Sequence, residues 1–179
     1  MQDEQSLVQR AQRHDQEAFA ILYEEYFDKI YRYIALKIGN RVEAEDMTQQ
    51  VFVKALNSIS SYKWKGLPFS AWLYRIAHNQ VVDYLRKKTR QATVYLNESF
   101  TAAKDNPHNT TEKKMNIEQL VLATRELTAS QQEVILLRFS GELPIAQVAS
   151  IMGKSEGAVK ALQHSAIVAL RKIMKTGEV

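Results

Sequence analysis

Apolar residues along this chain recur at three- and four-residue steps, and nowhere do they alternate in twos, so the pattern predicts helices and no strands. Residues 16–38 carry the first long stripe, Phe19, Leu22, Tyr23, Tyr26, Ile30, Tyr33 and Ile34. Gly39 ends it, and Asn40 with Glu43 forms a capping pair that opens a second helix to about Asn57 on Ala44, Met47, Val51, Phe52 and Ala55. Ser58 to Pro68 breaks the periodicity with Ser, Gly and Pro. A long helix follows to about Lys88, on Leu73, Ile76, Ala77, Val81 and Tyr84.

Residues 91–112 lose the pattern, are rich in Asn, Thr and Ala, and contain Pro107, which marks a flexible linker. Beyond it, residues 113–126 predict one helix, and Thr128 with Gln131 caps a second that carries Val134, Ile135, Leu137 and Arg138. Pro144 suits the first turn of a third helix, where no backbone donor is needed. Gly153 breaks that helix, and Ser155 caps a last one running to about Lys175. The fold class is therefore all-α: two small helical domains, 1–90 and 113–179, joined by a flexible linker, 91–112, the C-terminal domain being a helix-turn-helix.

The helix-turn-helix reading rests on Ala149, small where two helices cross closely, and on Gly153, which takes a turn conformation that larger residues resist. Val148, Met152, Val159 and Leu162 are apolar where the pair must pack. The last helix places Val159, Leu162, Ala166, Leu170 and Ile173 on one side, and Gly157, Lys160, Ala161, His164, Val168 and Arg171 on the other. Such a pair enters the major groove by the first turns of its second helix, with Arg171, Lys172 and Lys175 left for phosphates. The alternative is a three-helix packing unit with a solvated face.

Composition narrows the field. The 179 residues include no cysteine, which removes disulfides, Cys-ligated metals and a Cys nucleophile. No apolar run approaches a membrane span, and the N-terminal stretch is too polar for a signal peptide, so a cytoplasmic protein without membrane insertion is expected. Net charge is a mild +4, but its distribution is uneven. Residues 62–90 hold seven Lys or Arg against one acid, Asp83, whereas Glu43, Glu45 and Asp46 cluster without a base between them. One basic and one acidic patch suggest two different partners.

Within 62–90 the bases are interleaved with Tyr62, Trp64, Phe69, Trp72, Tyr74 and Tyr84, the combination that stacks unpaired bases and tracks phosphates. Tyr62 and Trp64 sit beside Lys63 and Lys65 in the loop, whereas core packing is the competing reading for Phe69, Trp72 and Tyr84. Arg75, Asn79, Val82 and Arg86 form the stripe opposite the core, and the Asn79 amide can read a base edge. Catalysis is not expected and no cofactor is called for. No pair among His14, His78, His108 and His164 has the spacing of a helical metal site, and no Gly-rich phosphate loop or strand–Ser–turn pattern occurs.

Taken together these stretches resemble the extracytoplasmic-function (ECF) sigma factors of RNA polymerase. The matching residues are Asp15, Ala18 and Phe19; Ala44–Glu45–Asp46 with Gln49 and Val51–Phe52; Phe69 through Ala77 with Asn79; and Asp83–Tyr84–Leu85–Arg86. In the second half they are Leu127, Leu136, Arg138, Phe139 and Gly153 through Lys160. Departures include His14 where Gly is usual before Asp15, Pro144 in place of a capping Ser, and Leu162 and Ser165 where Arg is common.

The resemblance implies a transcription initiation factor with three surfaces. Glu45, Asp46, Gln49, Gln50 and Phe52 would bind core RNA polymerase. Tyr62, Lys63, Trp64, Lys65, Arg75, Asn79 and Arg86 would recognise and melt the −10 promoter element. Ser155, Glu156, Lys160, Ala161, His164 and Arg171 would hold the −35 element as duplex DNA. It also implies an anti-sigma factor as a further partner. A stand-alone helix-turn-helix regulator is the rival, and it leaves the acidic helix and aromatic loop unexplained. A linker of about 20 residues reaches at most roughly 70 Å. That suffices for elements separated by about 17 base pairs, or roughly 58 Å.

Overall fold

A computed structural model describes residues 3–63, 67–95 and 120–176. All regular structure among them is helical: α1 (Glu4–Gln12), α2 (Gln16–Ile38), α3 (Arg41–Ser58), α4 (Phe69–Tyr95), α5 (residues 120–125), α6 (Ala129–Ile135), α7 (Ile145–Met152) and α8 (Glu156–Thr176). Helix α4 runs past its expected end into the stretch read as linker. The remainder of that linker and residues 113–119 of the next predicted helix lie outside the described residues.

The caps largely follow the sequence. The Asn40 side chain accepts from the Glu43 amide, and Thr128 with Gln131 makes both bonds of a capping box. Gly39 ends α2 at φ 71° and Gly153 ends α7 at φ 62°, both left-handed. The Glu43 side chain, expected to complete the Asn40 cap, instead receives the Tyr84 hydroxyl from α4. Pro144 is the residue preceding α7 rather than its first helical residue, and its carbonyl accepts from the Gln147 and Val148 amides.

The sequence reading missed α1, because only Leu7, Val8 and Ala11 of its nine residues are buried and the rest are polar. Its link to α2 explains one departure from the family pattern. His14 sits at φ 67°, a left-handed conformation that glycine adopts freely and a β-carbon resists. Just beyond it Asp15 caps α2, accepting from the Ala18 amide at 3.1 Å and from Arg10 Nε at 2.8 Å, and the two hold its carboxyl below the usual carboxylate range. Replacing His14 with Gly is therefore expected to raise stability by about 0.5–1 kcal/mol, the relief of strain exceeding the entropy cost of glycine. A urea titration reads this directly, and an unchanged midpoint would deny the strain.

Leu22, Ile30, Tyr33 and Ile34 of α2 meet Ala44, Val51 and Ala55 of α3 and Phe69, Leu73, Ala77 and Val81 of α4 in one core. That core continues into the second half of the chain through Val134, Leu136, Leu137, Leu143, Val148 and Val159. A smaller cluster, Ala123, Leu127, Ile135, Ala166 and Leu170, joins α5, α6 and α8. The two helical regions are thus packed on each other. Helix α6 passes into a π-helical turn, Leu136–Ser140, closed by the Gly141 amide on the Leu136 carbonyl at 3.0 Å. Arg138 fastens this turn, donating to the Leu143 carbonyl at 2.5 Å and to Gln163 of α8 at 3.0 Å.

Candidate nucleic-acid and polymerase interfaces

Helix α8 presents the two faces its sequence predicts. Val159, Ala166 and Leu170 are buried, while Gly157, Lys160, Ala161, His164, Val168 and Arg171 are all exposed. Ser155 is exposed and its hydroxyl caps the helix by accepting from the Ala158 amide at 3.2 Å; Glu156 is exposed in the first turn. A β-carbon placed on Gly157 would meet nothing within 4 Å among the described residues, so the outer side of the leading turn of α8 is open there. Leu162 and Ser165, the positions without the family's Arg, have structural work instead. Leu162 packs on the main core, and the Ser165 hydroxyl donates to the Leu162 carbonyl at 3.0 Å and accepts from Gln131 of α6.

Beside the break between α3 and α4 lie two adjoining recesses of about 320 Å³ each, with Ser58 and Ile76 common to both. Lys63 and Arg75 flank the first, and Lys54 and Asn79 the second. Lys63, Arg75, Asn79 and Arg86 are exposed as expected, Arg86 lying 3.6 Å from Asp83. Trp64 and Lys65 lie outside the described residues. Tyr62 departs from the expectation of an open stacking platform. Its residue is 7% exposed, its ring packs against Phe69 and Trp72, and its hydroxyl donates to the Leu67 carbonyl at 2.6 Å. Tyr62 is therefore a wall of the first recess, held by the same aromatic cluster that buries Phe69.

Two features of this region escaped the sequence reading. Lys54 and Asn57, one turn apart on the exposed side of α3, line the second recess. Gln12 of α1 braces the turn before the loop, donating to the Ile59 carbonyl at 3.1 Å and the Tyr62 carbonyl at 2.6 Å. The spacing of Lys54 and Asn57 was a legible signal. Gln12 had none, because its partners lie 47 and 50 positions away.

On α3, Glu45, Asp46, Gln49 and Gln50 are exposed. Phe52 is not: at 3% exposure its ring meets Tyr23 edge-on and stacks on Phe27, so it belongs to the core and offers no surface to a partner. Val42, Val53 and Leu56 are the exposed large apolar residues there. No helix among the described residues is long and apolar enough to cross a membrane. No group of three His, Asp or Glu among them is placed to hold a metal ion.

Comparison with known proteins agrees with both halves. Residues 22–91 match the model of Sigma-70 region 2, and residues 123–172 that of Sigma-70, region 4. The chain is 32% identical over 183 residues to the ECF RNA polymerase sigma factor SigW of Bacillus subtilis, covering 94% of this chain and 95% of that one. It is 36% identical over 170 residues to the ECF RNA polymerase sigma factor BldN of Streptomyces coelicolor, covering 94% of this chain and spanning 64% of that relative's length. The sigma factor RpoE from Bartonella quintana, solved with the anti-sigma factor NepR, superposes with a TM-score of 0.74 at 21% identity over 88% of this chain and 96% of that one, a likeness of fold.

Proposed function

Because the chain belongs to the ECF RNA polymerase sigma factors, we propose that it binds core RNA polymerase and directs initiation at specific promoters, with no catalytic chemistry of its own. Residues 1–90 hold polymerase and the melted −10 element, residues 113–179 hold the −35 element as duplex, and 91–112 connect them. The observation that carries this reading is the outer face of α8, where the six residues expected to face outward are all exposed and the outer side of the first turn is open. A groove-reading helix needs that access at its N-terminal end. Lys160 and His164 offer donors to base edges, Arg171 a phosphate contact, and the exposed Ser155 and Glu156 the leading edge of the helix.

The recesses beside Asn79 supply the second half of the function. Each is of small-ligand size, open to solvent, and flanked by Lys54, Lys63 or Arg75. An unstacked base can enter such a site while the cations hold its phosphates, as single-strand binding requires. The Asn79 amide then gives a donor and an acceptor at the rim. Asn79→Ala is expected to reduce promoter opening about 10- to 100-fold, the worth of one good base contact, and to leave −35 duplex binding unchanged. Permanganate footprinting against a gel shift separates the two, and equal losses in both would count against this role.

The exposed acids and glutamines of α3 face polymerase. A stand-alone helix-turn-helix regulator is disfavoured because residues 22–91 match a sigma region of their own. The place of work is the cytoplasm, where polymerase is. An anti-sigma factor is a further partner, as NepR is for RpoE. Run-off transcription with core polymerase on a genomic DNA pool tests the whole reading. A specific transcript that needs this chain is the expected result, and failure to form a complex with core polymerase on a sizing column would sink it.

A further inference from the structure

Helix α1 holds no residue proposed above to touch DNA or polymerase, yet each of its ends holds one stem of the loop beside the recesses. At its C-terminal end Gln12, half-buried, directs both N–H groups of one amide at backbone. Its Nε2 lies 3.1 Å from the Ile59 carbonyl and 2.6 Å from the Tyr62 carbonyl. These carbonyls stand where α3 and the 3₁₀ turn Ile59–Ser61 run out, and a helix end leaves its last carbonyls without partners inside the helix. The Ile59 carbonyl also accepts from the Tyr62 amide at 3.1 Å, so with Gln12 both of its lone pairs are in use.

At the N-terminal end of α1, Glu4 Oε1 accepts from the Ser70 amide at 3.3 Å. Ser70 lies in the first turn of α4, just after Pro68, whose side chain has no acceptor to offer the free amides there. Glu4 supplies that acceptor from 66 positions away, and a carboxylate suits the positive end of a helix.

Both stems are therefore tied to one rigid body. A helix rises about 1.5 Å per residue, which puts positions 4 and 12 about 12 Å apart. Leu7, Val8 and Ala11 are buried and seat α1 on α2, on the 3₁₀ turn and on the start of α4. Between the stems the Tyr62 hydroxyl donates to the Leu67 carbonyl at 2.6 Å. Burial, and after it the Glu4 charge, push that hydroxyl up to about 12, so it keeps its proton and remains a donor at any ordinary pH. Tyr62 and Leu67 form one wall of the first recess, and Trp72 and Arg75 of α4 the other. Gln12 fixes the first wall and Glu4 the second. Water could satisfy the same backbone groups at a helix end. What the two side chains add over water is a fixed position.

We propose that α1 is a strut that sets the width of the first recess for an unstacked −10 base, with Gln12 the positioning residue for the Tyr62 wall and Glu4 for the α4 wall. This rests on the −10 role proposed above for the recesses. Neither side chain needs to touch DNA. A recess already held at its bound width loses little conformational freedom when the strand enters, and that saving appears as affinity.

Gln12→Met keeps the length of the side chain and removes both donors with no change of charge. In holoenzyme with core polymerase, the probe is a dye-labelled single strand, the non-template −10 strand of a promoter found by run-off transcription. The variant is expected to bind it about tenfold more weakly, the scale of losing one hydrogen bond. Binding of −35 duplex and of core polymerase should stay as in the wild type. Gln12→Lys returns a donor to the same two carbonyls and should recover most of the loss. Gln9→Lys added to Gln12→Met places the same charge on the exposed side of α1 without that donor, and should stay weak. A role in stability alone would lower Tm and leave the strand affinity of the folded chain unchanged. Wild-type strand affinity in folded Gln12→Met holoenzyme, or equal losses with Met and Lys at this position, would overturn the strut.

Tryptic cleavage after Lys63, which is exposed at the first stem, reads the same device without DNA. Releasing either stem, by Gln12→Met or by Glu4→Ala, should quicken that cut about tenfold, because cleavage tracks the population of the opened form. An unchanged rate in both variants would overturn the proposal. If wild-type holoenzyme bound no −10 strand, the reading of the recesses would fall, and cleavage after Lys63 would still decide whether α1 holds the stems.

Discussion

Gly141→Val is expected to be among the most destabilising single changes in this chain, at about 3 kcal/mol or more. A β-carbon at Gly141 would lie 2.8 Å from the Leu137 carbonyl oxygen and 3.0 Å from Cζ of Tyr74. The first of these is backbone inside the π-helical turn and cannot swing away. The second is the ring of a tyrosine that is 1% exposed. Overpacking of this kind costs roughly 1–3 kcal/mol even for a methyl group, and valine adds two more carbons to the same space. For a chain of this size that corresponds to a fall of roughly 6–12 °C in Tm. Because the main core runs through both helical regions, the loss should appear as a shift of one cooperative transition in calorimetry. A second, separate transition in the wild-type protein would show that the regions unfold independently.

The location of that glycine shows what sequence could and could not supply. Helix periodicity sees which residues face inward, and it gave the correct stripe on α2, α3, α4 and α8. It does not see what the inward face meets. Tyr33 reads as one more apolar position on α2, yet its hydroxyl ends on Glu133, 100 residues away. Glu133 reads as an ordinary helix-forming acid among Gln131, Gln132 and Val134, and its burial is decided entirely by α2 and α4. A contact between distant segments has no local signature, so the packing of the two regions was invisible although every helix in it was predicted.

The functional surfaces divide along the same line. Exposed residues on regular helices, such as Asn79, Lys160 and His164, fall where a helical wheel puts them. Tyr62 and Phe52 are misplaced for different reasons: an aromatic residue beside Lys63 suits a binding platform and a core equally well, whereas Phe52 lies on the apolar stripe of α3 and only the family resemblance puts it on the polymerase surface. Tyr62 is claimed by Phe69 and Trp72, and Phe52 by Tyr23 and Phe27. His14 teaches the converse. The sequence shows it only as a departure where Gly is usual, and the left-handed backbone shows the physical reason that glycine is favoured there.

The burial of Phe52 also decides how the polymerase surface must be tested. Phe52→Ala would remove a core ring at a cost of about 3–5 kcal/mol, so lost binding would say nothing about contact. Glu45 and Asp46 are exposed, and among the described residues neither makes an ion pair, so both carboxylates are available to a partner. Changing both to Lys reverses the local charge by four units. Close charge pairs across interfaces couple by about 1.5 kcal/mol or more, against at most about 1 kcal/mol for exposed pairs within a chain. The double variant is therefore expected to bind core polymerase at least about 100-fold more weakly, the loss shrinking as salt is raised. Its fold should suffer little, because two lysines near the start of α3 oppose the helix dipole by only about 0.3–1 kcal/mol each. Far-ultraviolet circular dichroism and duplex −35 binding should both remain as in the wild type. Wild-type polymerase affinity in a well-folded Glu45→Lys, Asp46→Lys chain would remove α3's acidic turn from the interface and leave the exposed Val53 and Leu56 as the surface to examine next.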